Sequence, residues 1–485
     1  MGTWGAEEVA AAVSGGWIAE PKREMRGATI DSREVEDGNI FFALRGENTD
    51  GHRFLQDAAD RGAGAVVIED RTYAAFGGQL RGCGVLLVDD VRAALHAMAL
   101  AWRARLHGRV IGVTGSNGKT STVRMIDAAI SGDPDATPRL RGSRSVRSYN
   151  NDLGVPLTLL NAAEEDDYVV CEIGMSGPGE IAPLAHLAWP DAVVITSIGR
   201  AHLEAFGSIG RIAVEKASIL SGLSSDGIAF VCDGVPDLDA HIDDVYGDVE
   251  VVRFGLGRRA RPRIISIGPG ERGARFVFDD GADFESPLPG DHNALNAAAA
   301  VAVARWVGVP DASIRAGLAR AETPPMRLEP AEVVVPGGVA LLINDAYNAN
   351  PESVLAAMEM LATGRLDPPG AARRRRVALL GEMLELGGEA EAAHREIGAR
   401  VAGLEGIDAL WCVGPSAGVA TGAAQLAGFG GELRDFPGAT EPALTELGGG
   451  VRAGDVVLIK GSRGVRLERF VELLRAAGRT RSAAG

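Results

Sequence analysis

Cysteine is scarce in this sequence: the only four, Cys83, Cys171, Cys232 and Cys412, lie far apart, which excludes both a metal-type pair and the dense framework of a small secreted domain. A reducing cytoplasm is the expected compartment. Also missing is any uncharged apolar run of about 18 residues. The opening Met1 to Glu8 has neither a basic nor an apolar stretch, so neither a membrane span nor a secretory leader is expected. Positive charge is short too. With 49 Lys and Arg against 65 Asp and Glu the formal net charge is -16, which disfavours nucleic acid as a partner because a polyanion would be repelled. Aromatics reach only 5%, but 46% hydrophobic and 24% charged residues make an ordinary packed core, not a disordered chain.

What is present is length and alternation. The 485 residues exceed what one core can organise, since single cores stop growing near roughly 250 to 300 residues. Three α/β domains are expected: 1–106, 107–325 and 326–485. In the first, short strand-like runs at 40–44, 65–69 and 85–88 mix with Ala-rich helical stretches and end in an amphipathic helix at 91–106. From Arg109 a β-branched run opens a series of alternating strand and helix signals, the pattern of a parallel sheet covered by helices. Residues 131–147, poor in apolar side chains and rich in Gly, Ser, Pro and Arg, read as an active-site loop. A break at Glu322-Thr323-Pro324-Pro325 precedes another alternating series, with strands at 339–343, 376–380, 409–413 and 455–459. The basic run 373–376 reads as a solvated flank.

The strongest local chemistry sits at Gly112 to Thr120, a strand, a Gly-rich loop and a helix start. Glycines let backbone N–H groups approach phosphate oxygens, and the helix N-terminus adds positive potential. Lys119 would charge-match β- and γ-phosphates and Thr120 would offer a hydroxyl to Mg²⁺, with ATP as the expected nucleotide. Glu172 ends a buried-looking strand, where open α/β sheets bind ligands, and could hold Mg²⁺. His202 follows a third strand. Alone it would be an ordinary structural histidine; beside Glu172 and Thr120 at strand ends of one sheet it becomes a candidate ligand.

With these residues in view, the chain resembles the Mur ligase family over nearly its whole length. The phosphate loop Gly115, Ser116, Asn117, Gly118, Lys119, Thr120 and Ser121 matches, as does Gly290-Asp291-His292-Asn293 with Asn296. The resemblance implies a small α/β substrate-binding domain, a central P-loop parallel-sheet ATPase domain and a C-terminal Rossmann-like domain. It places Asn293 and Asn296 on adenine, brings Arg327 from the interdomain hinge and Asp345 from the last domain to ATP, and puts Ser32 near uracil. It further implies two Mg²⁺ ions on Thr120, Glu172, His202 and Lys216, the last carbamylated. Within the family, Asp31-Ser32-Arg33, the stretch Asn150-Asn151-Asp152 to Thr158 and Gly381-Glu382-Met383-Leu384-Glu385-Leu386-Gly387 resemble the branch that adds D-alanyl-D-alanine to UDP-N-acetylmuramoyl-tripeptide, with Asn151 a substrate residue. The Asp-Asn-Pro-Arg run of the diaminopimelate-adding branch does not occur. Ser176-Gly177, Asp152 and the Glu215-Lys216 pair depart from the family pattern. The expectation is therefore a cytoplasmic, monomeric ligase of peptidoglycan synthesis. The alternatives are a sister ligase adding another amino acid and a catalytically silent scaffold of the same fold.

Overall fold

The computed structural model describes residues 3–484 apart from 48, 70–79, 81–82, 136–138 and 368–371. Its architecture is α/β throughout, built on three sheets with a small fourth. The first sheet runs in the order Gly16–Ala19, Gly84–Val88, Ala65–Glu69, Ile40–Phe42, Ala28–Thr29, parallel except at the Gly16–Ala19 edge. The helix Val91–Arg103 leaves it for the central domain. Asp90 caps that helix by accepting from the Ala93 N–H. Val91, Ala94, Leu95, Met98 and Trp102 form one buried stripe at helical spacing. Trp102 packs at 4.9 Å from Trp4 and its indole N–H donates to the Ala162 carbonyl, so the helix ties the first domain to the second.

The central sheet is parallel in every pairing, in the order Glu250–Phe254, Ile228–Cys232, Ala192–Ile195, Arg109–Thr114, Tyr168–Glu172, Gly142–Arg144. Its four inner strands are apolar on both faces because helices cover both. Val110, Ile111, Val169, Val170, Val193 and Val194 are fully buried, and each such side chain contributes about 1.5–3 kcal/mol relative to exposure. Arg109–Thr114 lies between Tyr168–Glu172 and Ala192–Ile195, so three neighbouring strands open their C-terminal ends onto one crevice. That is where open parallel sheets bind ligands.

Three features of the structure differ from what the sequence predicts. The 131–147 stretch is not all loop: Gly142–Arg144 is an edge strand of the central sheet, while residues 136–138 lie outside the described residues. A three-stranded antiparallel sheet, Ile264–Pro269, Ala274–Phe278 and Asp283–Ser286, was not expected. Its core is the cluster Phe276, Phe278 and Phe284. Nor is 373–376 simply a solvated flank. Arg375 bridges Asp455 and Glu432, and Arg376, 9% exposed, is bonded to Asp367 and the Ala362 carbonyl.

The last sheet runs Glu329–Val335, Gly338–Asp345, Val456–Lys460, Arg376–Gly381, Ala409–Val413, Glu432–Phe436, antiparallel only in its first pair. The chain enters it after the helix Asp311–Leu318 through a segment in which Met326 (φ 55°) and Leu328 (φ 54°) are both left-handed. Arg327 sits between them. No helix among the described residues is long and apolar enough to cross a membrane.

Candidate active site

The phosphate loop is shaped by its neighbours before any ligand arrives. Ser116 N–H donates to the Ser197 carbonyl, Ser116 Oγ donates to the Gly199 carbonyl at 3.1 Å, and Asn117 N–H donates to Ser197 Oγ at 2.9 Å. The loop is thereby laced to the end of the adjoining strand. Gly118, with φ of 82°, turns the chain into the helix Lys119–Ser131; a Cβ there would stand 2.3 Å from Asn296 Oδ1, so only glycine fits. Lys119 Nζ donates to the Gly115 carbonyl at 2.8 Å, folded back over the loop. Burial holds its pKa below the ordinary lysine value; Glu172 opposes that shift and Arg327 adds to it.

Around the start of that helix the polar groups form one network. Thr120 Oγ1 donates to Glu172 Oε2 at 2.8 Å and lies 3.1 Å from Ser148 Oγ. Asn150 Nδ2 donates to Glu172 Oε1 at 2.8 Å. The approach of Asn150 depends on Gly174, where a Cβ would meet the Asn150 amide carbon at 2.6 Å. Glu172 is 1% exposed, and a carboxylate so placed needs these donors. Arg327 Nη2 donates to Thr120 Oγ1 at 3.0 Å while its guanidinium stacks 4.2 Å from the Tyr347 ring centroid. Asp345 accepts from Lys460 Nζ at 2.6 Å and from the Leu328 N–H at 3.2 Å.

On the facing side, Asn296 Nδ2 donates to Asn293 Oδ1 at 3.3 Å and Asn293 Nδ2 donates to the Pro289 carbonyl at 2.8 Å. His292 beside them is pushed down to about 4 by burial. These residues, with Ser116, Asn117, Gly118, Lys119, Ser121, Glu172 and His202, line one cleft of about 260 Å³. Thr120 stands directly behind Glu172. Lys216, on the helix Ile209–Ala217, is 1% exposed; its Nζ has only Met175 Sδ, at 3.8 Å, and no carboxylate partner among the described residues. Burial, with Lys119 nearby, holds its pKa well below the ordinary lysine value.

The last domain closes the cleft by direct contacts. Asn117 and Asn350 exchange amide hydrogen bonds of 3.2 and 2.7 Å, Asn350 also capping the helix Pro351–Ala362. Arg200 reaches Glu352 and Glu396, each at 2.7 Å. His202 Nδ1 lies 2.5 Å from Glu385 Oε2. Asn150, Arg200, Glu385 and Lys460 were not picked out as site residues from the sequence. Lys460 ends the strand Val456–Lys460, a position that could have flagged it.

Two residues from the sequence reading lie apart from this cleft. Ser32 is buried in the turn Ser32–Glu34 and engages Asp57. It adjoins a second cleft of about 680 Å³ between the first and central domains, lined by Thr29, Arg33, Asn39, Arg144, Arg147 and Tyr149 among others. Asn151 is exposed and its Oδ1 accepts from the N–H groups of Leu153 (3.3 Å) and Gly154 (3.0 Å), shaping the start of the helix Gly154–Leu160.

Among the described residues no three His, Cys, Asp or Glu side chains form a ready cation cage. The grouped Thr120 hydroxyl and Glu172 carboxylate are nevertheless hard oxygen donors beside a phosphate loop. Mg²⁺ is commonly held by one or two carboxylates plus oxygens brought by a bound phosphate, so the donor set fits that ion.

Comparison with known proteins gives the same picture over the whole chain. Residues 24–103 match the Mur ligase family catalytic domain, 113–304 the Mur ligase middle domain and 326–463 the Mur ligase glutamate ligase domain. The UDP-N-acetylmuramoyl-tripeptide--D-alanyl-D-alanine ligase of Bacillus subtilis is 35% identical over 94% of this chain and 95% of its own length. The enzyme of that name from Escherichia coli is 35% identical over 94% and 96%. A crystal structure of MurF from Acinetobacter baumannii superposes with a TM-score of 0.81 at 29% identity, covering 98% of this chain and 99% of that one. MurF ligase from Thermotoga maritima in complex with ADP gives a TM-score of 0.74 at 28% identity, covering 94% and 99%. With its phosphate loop, its buried carboxylate and its closing third domain all in one cleft, the chain belongs to the Mur ligase family.

Proposed function

We infer that this chain is an ATP-dependent ligase that adds D-alanyl-D-alanine to UDP-N-acetylmuramoyl-tripeptide, forming the pentapeptide precursor of peptidoglycan in the cytoplasm. The observation that carries this is whole-length similarity to relatives of that activity in a chain whose cleft keeps Lys119, Thr120 and Glu172 in hydrogen-bonded register. Residues 1–106, 107–325 and 326–485 are the proposed domains.

Joining a carboxylate to an amine in water is unfavourable, so the carboxylate must first be activated. Transfer of the γ-phosphoryl group of ATP to the tripeptide carboxylate gives an acyl phosphate; the dipeptide amine then attacks it, and inorganic phosphate leaves. Phosphoryl transfer is mainly positioning and charge neutralisation. Backbone N–H groups of the 115–121 loop receive phosphate oxygens, Lys119 swings from the Gly115 carbonyl to add a full positive charge, and Arg327 arrives from the hinge beside Thr120. Asn293 and Asn296 face the base, and Asp345 with Lys460 completes the wall contributed by the last domain. Closure through Arg200 and Asn117 keeps water from the acyl phosphate.

Thr120 and Glu172 would hold one Mg²⁺, and Glu172, His202 and a carbamylated Lys216 a second; the ions supply charge neutralisation at the phosphates. A buried ammonium at Lys216 would repel a cation. In its neutral form the Nζ would attack carbon dioxide, forming an N–C bond and releasing one proton to leave a carbamate anion. The second cleft, with Arg33, Arg144 and Arg147, would take the uridine diphosphate end of the substrate. Ser32 stands near the uracil in this reading, and Asn151 shapes the substrate path by fixing the turn that aims Asn150 at Glu172.

The test is the purified protein with ATP, Mg²⁺, UDP-N-acetylmuramoyl-tripeptide and D-alanyl-D-alanine, with product mass measured. A gain of one dipeptide residue with one ADP formed is expected. Joining only a different amino acid would make it a sister ligase, and no ATP turnover with any acceptor would make it a scaffold.

A further inference from the structure

The segment after the strand Arg376–Gly381 belongs to the last domain, yet Glu385 within it is directed at the central one. Its backbone is left-handed, with φ of 63°, a conformation that a glutamate adopts only when the surroundings impose it. The imposing contact crosses the domain boundary: the Glu385 carbonyl accepts from the Glu204 N–H at 3.0 Å. Locked in this way, the side chain ends 2.5 Å from His202 Nδ1, and His202 is itself left-handed, with φ of 62°. The other ring nitrogen, Nε2, has no hydrogen-bond partner among the described residues, and the ring lines the cleft that also holds Glu172 and Lys119.

A neutral imidazole has one N–H and one lone pair, so whichever nitrogen donates decides which can ligate. A carboxylate on Nδ1 fixes the proton there and leaves the Nε2 lone pair for the cleft. Metal-binding histidines are commonly oriented by a carboxylate in this manner. We propose that Glu385 is a positioning residue through which closure of the last domain completes the second cation position, by holding His202 as the Nδ1–H tautomer with Nε2 turned to the cleft. This rests on the reading of His202 as a ligand. The Thr120 and Glu172 position needs no such contact, because both residues and the bond between them belong to the central domain. The two cation positions therefore differ in kind: one is built into the central domain, the other is assembled across the boundary.

The experiment uses the full chain with ADP in bicarbonate buffer and Mn²⁺ as the probe, with free Mn²⁺ counted by electron paramagnetic resonance. The wild type should bind two ions of unequal affinity. In Glu385→Ala the weaker should lose about 10- to 100-fold in affinity while the tighter is unchanged. Glu385→Gln should stay near wild type, since its amide oxygen still accepts from Nδ1–H. Long-range ¹⁵N spectra of the same ADP complex should show His202 as the Nδ1–H tautomer in the wild type and as a mixture in Glu385→Ala. Two Mn²⁺ sites unchanged in Glu385→Ala would overturn the role of Glu385 while leaving the ligand reading of His202 intact. A wild type that binds only one Mn²⁺ would overturn both.

Discussion

The two clefts of this molecule handle charge in opposite ways. In the cleft between the central and last domains, the charged groups are enclosed and bonded within the protein: Lys119 on a carbonyl, Glu172 between Thr120 and Asn150, and Lys460 on Asp345. In the cleft between the first and central domains, Arg33 and Arg147 stay wet. Arg147 pairs with Glu34 at 2.9 Å, the side chains 69% and 41% exposed, a pairing of little energetic consequence. Enclosed charges act strongly on a reaction because little water screens them, whereas exposed ones mostly attract and orient. The first cleft should thus govern kcat and the second KM, and the following variants strain that division.

Lys119→Ala should have the largest effect, a loss of about 10²–10³-fold or more in kcat, because it removes an enclosed charge opposing the transferred phosphoryl group. Steady-state ADP release measures it, and a kcat close to wild type would sink the role of this loop. Lys216→Ala should also be nearly inactive, yet differ in one respect: formate or acetate should partly restore turnover by filling the place of the carbamate, with restoration rising with anion concentration. Lys119→Ala should gain nothing from those anions. A Lys216→Ala enzyme of normal activity would refute the carbamate outright.

Arg200→Ala tests whether closure matters separately from the chemistry. Its two ion pairs are partly exposed, at 24% for the arginine and 39% and 40% for its partners. Solvent screening limits each to about 0.2–1 kcal/mol, so a kcat fall of about 2- to 10-fold is expected. Arg147→Ala should be the mildest, raising KM for the nucleotide-linked substrate about 2- to 5-fold with kcat and KM for ATP unchanged. A fall in kcat with unchanged KM in that variant would break the distinction between the two clefts.

The sequence was legible where one segment carries its own meaning. The β-branched run into Gly115-Ser116-Asn117-Gly118-Lys119-Thr120 announces a strand, a turn and a helix start, because each residue type suits its local backbone. Glu172 was legible as the end of such a run, and the strand Tyr168–Glu172 does end there; His202 lies beyond the strand Ala192–Ile195, as the cap of the helix Leu203–Phe206. Residues whose role depends on meeting a distant partner were not. Arg200 and Glu352 are 152 positions apart, and no local pattern marks either. Glu385 lay inside a recognised segment, but its aim at His202 comes from a left-handed backbone that a glutamate does not advertise. Asn150 and Asn151 show the finest limit: adjacent and identical in type, one faces the cleft and the other braces a turn. The strand Gly142–Arg144 escaped because a three-residue edge strand, half-buried throughout, carries little hydrophobic alternation, whereas the sheet 264–286 does alternate in Ala274–Phe278 and Asp283–Ser286 and was open to that reading.

The left-handed pair at Met326 and Leu328 bears on how Arg327 is presented. Each such residue costs about 1–3 kcal/mol, and the bonds that hold them lie inside the last domain. The Met326 N–H donates to Glu329 Oε2 at 2.9 Å, the Leu328 N–H donates to Asp345 Oδ1 at 3.2 Å, and the Met326 carbonyl accepts from the Tyr347 N–H at 3.2 Å. The arginine that meets Thr120 is thus offered to the central domain on a stem that the last domain's own strand and side chains keep bent.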